Sequence, residues 1–122
     1  MSSATLHKAK YEHNKMFIQE GMDQKNKENY LDWYVTATFY ASIHLIEWKL
    51  IESKKYTKPA TTDGHRERAE KAEILLGKEV KEQLVSLRGL SQKARYDCYD
   101  MGGHDAYVAD KNLSELENLL RV

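Results

Sequence analysis

The chain has 122 residues, 31% of them charged and 41% hydrophobic, with a formal net charge of zero. That size suits a single domain spanning residues 1–122 and is too short for two ordinary ones. The composition excludes a disordered chain and a global basic field, so any contact with nucleic acid needs a local patch.

Cys98 is the only cysteine, which rules out an intrachain disulfide and a cysteine-based zinc cluster. The opening MSSATLHKAK lacks the apolar core of a signal peptide, and no run approaches the length of a membrane span. The expectation is a cytoplasmic protein without a membrane role. Pro59 is the only proline, and the glycines stand at positions 21, 64, 77, 89, 102 and 103. Such sparse punctuation favours long helices over many short strands.

From Thr5 to Glu20, the residues Leu6, Ala9, His13, Met16, Phe17 and Glu20 recur at three- and four-residue steps. This spacing predicts one face of an amphipathic helix. Gly21 and the polar run MDQKNKEN predict a loop. Asp32 to Leu50, DWYVTATFYASIHLIEWKL, follows as a second helix. Tyr30, Trp33, Ala37, Tyr40, Ala41, His44, Leu45 and Trp48 form one stripe, and Leu31, Val35, Phe39, Ile43, Ile46 and Leu50 form another. A helix that is apolar on most sides is packed on most sides, and about 20 unbroken residues is too long for a strand.

SKKYTKPATTDG is a loop by its Pro and Gly. A helical pattern resumes at His65 through Arg68, Ala69, Ala72, Leu75 and Leu76, with a break or bend at Gly77. Val80, Leu84 and Leu87 carry the period on. Gly89 marks a further boundary, LSQKARYDCYDM reads as a short helix or turn, and MGGHD as a joint. Asp105 is placed to N-cap a last helix with Ala109, Leu113, Leu116 and Leu120 on its face. The fold class is all-α: an up-and-down bundle of four to five helices.

No glycine-rich phosphate loop, nucleophile elbow or paired-His metalloprotease motif is present. His13 and His44 lie on apolar stripes, where a buried imidazole needs only a bonded neighbour. His44 has unusual company. Thr36, Tyr40, His44 and Glu47 follow steps of four, four and three, a polar-capable row that must find partners on another helix. His65 and Arg68 share a face at the start of a helix, where a solvated charged surface is the plainer reading. Arg95 is a surface residue or one leg of an ion pair. Cys98 suits packing better than nucleophilic work. His44, Glu47, His65 and His104 have no spacing diagnostic of a metal, and no cofactor is implied.

Three stretches together, DWYVTATFYASIHLIE, HRERAE and LRGLSQKARYD, resemble the landmarks of small stand-alone HEPN-domain proteins of bacteria and archaea. The residues that carry the resemblance are Asp32, Trp33, Phe39, Tyr40, Ala41, His44 and Glu47, then His65 and Arg68, and finally Leu90, Ser91, Ala94, Arg95 and Tyr96. It covers about His13 to Tyr96. It implies a helical bundle that commonly forms a homodimer, and a role around RNA: ribonuclease, toxin paired with a nucleotidyltransferase-type antitoxin, or non-catalytic binding module. Ribonucleases of the family carry Arg, four to six residues, then His. Here Arg95 is followed by His104 at a longer gap containing Gly102 and Gly103, and neither Arg66 nor Arg68 has a His at the required distance.

Three readings stand at this point. In the first, a module binds RNA, a nucleotide or a partner protein through Tyr40, His44, Glu47, His65, Arg68, Arg95 and Tyr96. Arg suits phosphate and Tyr suits stacking on a base. In the second, a metal-independent ribonuclease uses His65 or His44 as base and Arg68 or Arg95 to stabilise developing charge. In the third, a non-catalytic assembly subunit uses the polar row to fix helix register.

Overall fold

The computed structural model describes residues 3–53, 55, 64–97 and 100–122. Most of the expected loop around Pro59, and Cys98, lie outside the described residues. Within them the chain forms α1 (Ser3–Met16), a π-helical turn (Phe17–Gly21), α2 (Gln24–Asn29), α3 (Leu31–Glu52), α4 (Gly64–Leu76), α5 (Lys78–Tyr96) and α6 (Gly103–Leu119), with no strand. The all-helical bundle expected from the periodicity is present, with one helix more than expected.

The additional helix is α2, in the polar run read as a loop. Asp23 nucleates it: its carboxylate accepts the Asn26 N–H at 2.8 Å, an N-cap that satisfies a first-turn donor. Tyr30 then leaves helical geometry, and its carbonyl accepts from Trp33 and Tyr34 to start α3. At the far end of the chain Asp105 is not the N-cap. It lies in the first turn of α6, where its carboxylate accepts the Gly102 N–H at 2.9 Å.

Helix α3 is the centre of the bundle, touching α1, α2, α4, α5 and α6. Val35, Phe39, Leu45, Ile46 and Leu50 are fully buried along it. Its buried hydroxyls bond back to their own helix: Thr36 to the Asp32 carbonyl at 2.8 Å, Thr38 to Tyr34 at 2.8 Å and Ser42 to Phe39 at 2.6 Å. Polar atoms in hydrocarbon are thus satisfied without a partner helix.

Of the two glycine breaks expected between His65 and Tyr96, one is present and one is not. Gly77 does separate α4 from α5, and its φ of 121° with ψ of 157° belongs to a region open essentially to glycine alone. Gly89 breaks nothing. It is an exposed position in mid-helix, and LSQKARY continues α5. One glycine costs a helix about 1 kcal/mol, which the burial of Val80, Leu84 and Leu87 on the same helix outweighs.

The largest revision concerns α1. Leu6, Ala9, His13, Met16, Phe17 and Glu20, expected to face the core, are all exposed. The inward side carries Tyr11 and the π-turn residue Ile18, with His7 and Lys15 half-buried. Polar tips explain this choice. Glu117 of α6 accepts from both the Tyr11 hydroxyl and the Lys15 ammonium, so long side chains bury their stems and bond at their ends. His13 is accordingly a surface residue rather than a core imidazole. Tyr34 and Asp110 make a similar tie between α3 and α6, and Asn112 donates to Ser86 at 2.8 Å between α6 and α5.

Candidate functional site

The polar row on α3 ends at Glu47, which is 1% exposed and meets Arg68 of α4. The guanidinium Nε donates to Glu47 Oε1 at 2.6 Å, and the Arg68 side chain is itself only 13% exposed. A carboxylate held this deeply is tolerable only because a cation is bonded to it. One turn earlier on α4, His65 Nδ1 accepts from Arg68 Nη1 at 3.3 Å; the guanidinium has no acceptor to offer, so the bond runs in that direction. The His65 ring lies against Phe39, with centroids 5.8 Å apart.

Phe39 borders a second group on its other contacts. The Arg95 guanidinium, from the last turn of α5, lies 5.7 Å from the Phe39 centroid, 5.7 Å from that of Tyr40 and 4.9 Å from that of Tyr96. Its Nη1 donates to the Tyr40 hydroxyl at 3.1 Å and to the Tyr96 hydroxyl at 3.3 Å, and its Nε to the Ser91 carbonyl at 3.3 Å. No ion pair among the described residues involves Arg95. It lines a cleft of about 310 Å³ together with Asp32, Trp33, Thr36 and Ala94.

His44 turns toward α1. Its Nδ1 lies 2.9 Å from Nδ1 of His7, and the two rings stack with centroids 5.1 Å apart. Its pKa is lowered to about 4, first by burial and then by His7, Lys10 and Arg68, with Glu47 opposing. The imidazole is therefore neutral at neutral pH and a weak base there. His104 stacks on Tyr107 at 6.4 Å and does not line the Arg95 cleft.

The seven sequence-predicted residues thus fall into three groups. Glu47, His65 and Arg68 form one cluster. Tyr40, Arg95 and Tyr96 form another, sharing Phe39 with the first. His44 belongs to a pair with His7 that sequence reasoning missed, as it missed Trp33 as a cleft wall. A signal for His7 was present: His7, Tyr11 and Ile18 follow steps of four and seven. The larger cleft, about 510 Å³ between α2 and α6, contains none of the predicted residues; Lys27, Leu31, Tyr107 and Asp110 are among its walls. Among the described residues no group of three or more His, Cys, Asp or Glu is placed to hold a metal ion.

Fold and site together define a single all-α bundle with an arginine and aromatic cleft beside a buried carboxylate–guanidinium pair. Comparison of the chain with family models, curated proteins and solved structures finds no match. No helix among the described residues is long and apolar enough to cross a membrane.

Proposed function

We propose that this chain is a HEPN-type binding module whose ligand is single-stranded RNA or a nucleotide, taken at the cleft around Arg95. The observation that carries the reading is the setting of Arg95: a guanidinium outside any ion pair among the described residues, ringed by Phe39, Tyr40 and Tyr96. Such a group offers donors to phosphate, while Tyr96, Tyr40 and Trp33, all exposed, offer faces to bases. Asp32 in the same cleft is an acceptor for a base amino group or a ribose hydroxyl. Arg68 plays a different part. Its charge is committed to Glu47, so it fixes α4 on α3 and holds His65 beside Phe39. The reading carries with it a cytoplasmic setting and, as in toxin–antitoxin pairs, a nucleotidyltransferase-type partner.

The test is fluorescence anisotropy with a labelled single-stranded RNA and, separately, a labelled nucleotide. Binding lost on Arg95→Ala, with the fold intact, supports the reading. Equal affinity in wild type and Arg95→Ala overturns it.

A second reading, a metal-independent ribonuclease, is favoured by His65 lying against a guanidinium at 3.3 Å. Incubation with mixed RNA in EDTA separates the two. Cleavage that disappears in His65→Ala makes the chain an enzyme, and binding without cleavage leaves it a module.

A further inference from the structure

Helix α3 meets solvent along one edge, and that edge is aromatic. From Trp33 to Trp48 the only residues that are not buried are Trp33, Ala37, Tyr40, His44 and Trp48. Steps of four, three, four and four set them in one line along the helix. Four of the five are rings, and both tryptophans of the chain stand among them. Trp33 is 60% exposed and Tyr40 38%.

Cations flank the line toward both ends. Arg95 lies 5.7 Å from the Tyr40 centroid. Beyond His44, Lys8 of α1 and Lys49 lie 5.3 and 4.1 Å from the Trp48 centroid. Lys49 also reaches Glu52 at 3.4 Å, whereas Lys8 is exposed and enters no ion pair among the described residues. In a chain of zero net charge, rings set beside cations in this way form a local platform for flat bases on a charged backbone. Trp33 to Trp48 spans about 22 Å at ~1.5 Å per residue, against about 3.4 Å for one nucleotide of a stacked strand. A free nucleotide at Arg95 leaves the Trp48 end unused.

We propose that the ligand at Arg95 is a single strand of roughly four to six nucleotides, laid along this edge and held at a second base and phosphate subsite by Trp48, Lys8 and Lys49. This rests on the Arg95 reading and selects the polynucleotide over the free nucleotide. Bases stack on Trp33, Tyr40 and Trp48, while the two ammonium groups leave the indole for phosphate oxygens.

Anisotropy of a labelled octauridylate, with unlabelled octamer and uridine monophosphate as competitors, tests this. The octamer should bind at least about tenfold tighter than the monophosphate, the gain expected for one added stack. Trp48→Leu and Lys8→Glu should each lower octamer affinity about tenfold and leave the monophosphate unaffected. In Trp33→Phe the only tryptophan is Trp48, whose emission should fall on saturation with octamer and stay constant with monophosphate. Equal affinities for octamer and monophosphate, or Trp48 emission indifferent to saturating octamer, overturns the extended path and leaves the Arg95 cleft standing. No binding of the octamer overturns both. Octamer binding weakened by Trp48→Leu but not by Arg95→Ala supports the subsite and sinks the Arg95 reading. Circular dichroism checks the fold; if Trp48→Leu unfolds, Lys8→Glu, at an exposed position, decides.

Discussion

His7 and His44 face each other Nδ1 to Nδ1 at 2.9 Å across the α1–α3 contact. One nitrogen must donate and the other accept, so the pair does not tolerate a proton on both facing atoms. His44 is the ring whose neutral form is favoured, its pKa falling from 6.5 to about 4. A base whose pKa is depressed in the folded state contributes stability in full above its unfolded value, and that stability is lost as pH falls from about 6.5 through about 4.

The expected acid sensitivity is therefore about 1–2 kcal/mol for this one group, after allowance for its partial contact with solvent. Urea titrations at several pH values between 7.5 and 4 would measure it, with His44→Gln as the control that cannot titrate. Wild type should lose more stability than the variant over that window. Parallel curves would show that the pair has no part in it.

Breaking the Glu47–Arg68 pair from one side should be the most damaging change near the site. Arg68→Ala leaves a carboxylate that is 1% exposed without its guanidinium, and about 3–5 kcal/mol is the usual penalty. Replacing both, as Glu47→Leu with Arg68→Met, should recover much of that loss. Chemical denaturation of the single and double variants decides; a double variant no better than Arg68→Ala alone would mean that the pair is not the cause.

Arg95→Ala should separate binding from folding. Its side chain makes hydrogen bonds to Tyr40 and Tyr96 at the surface, so the melting temperature should barely move. Affinity for a phosphate-bearing ligand should fall about 10–100-fold, the range for a lost charge-assisted contact. Tyr96→Ala, which removes a 70% exposed ring, should cost a similar amount for RNA through lost stacking and little for inorganic phosphate.

Two glycines should respond in opposite directions to alanine. Gly77→Ala forces a side chain into the φ of 121°, and although the Cβ would meet nothing within 4 Å, backbone strain should cost about 1–3 kcal/mol. Gly89→Ala also meets open space and sits in α5, so it should stabilise by about 0.4–1 kcal/mol. Thermal melts of both variants suffice, and stabilisation by Gly77→Ala would contradict the description of the α4–α5 junction.

The central position of α3 was legible because its length and all-round hydropathy admit few alternatives. Helix α1 was read on the wrong side for a reason rooted in chemistry. Hydropathy counts Tyr11, His7 and Lys15 as weak core residues, yet each has a bonding partner waiting across the bundle. Leu6 and Met16 are apolar residues at helical spacing, which hydropathy takes for core, yet both stand exposed. The site was half visible. Spacing placed Tyr40, His44 and Glu47 in one row and His65 beside Arg68. It carried no information on contacts such as Glu47 with Arg68, 21 positions apart, or Tyr40 with Arg95, 55 apart. Those depend on how α4 and α5 settle on α3.

Glu117 gives the bundle an order in time. The first helix hands two of its polar tips, Tyr11 and Lys15, to a carboxylate more than a hundred residues later. During synthesis α1 can pack on α3 once that helix has emerged, but its ties to Glu117 wait for nearly all of α6, so this long-range bond forms among the last. One acidic side chain thereby ties the completion of the fold to the arrival of its final helix.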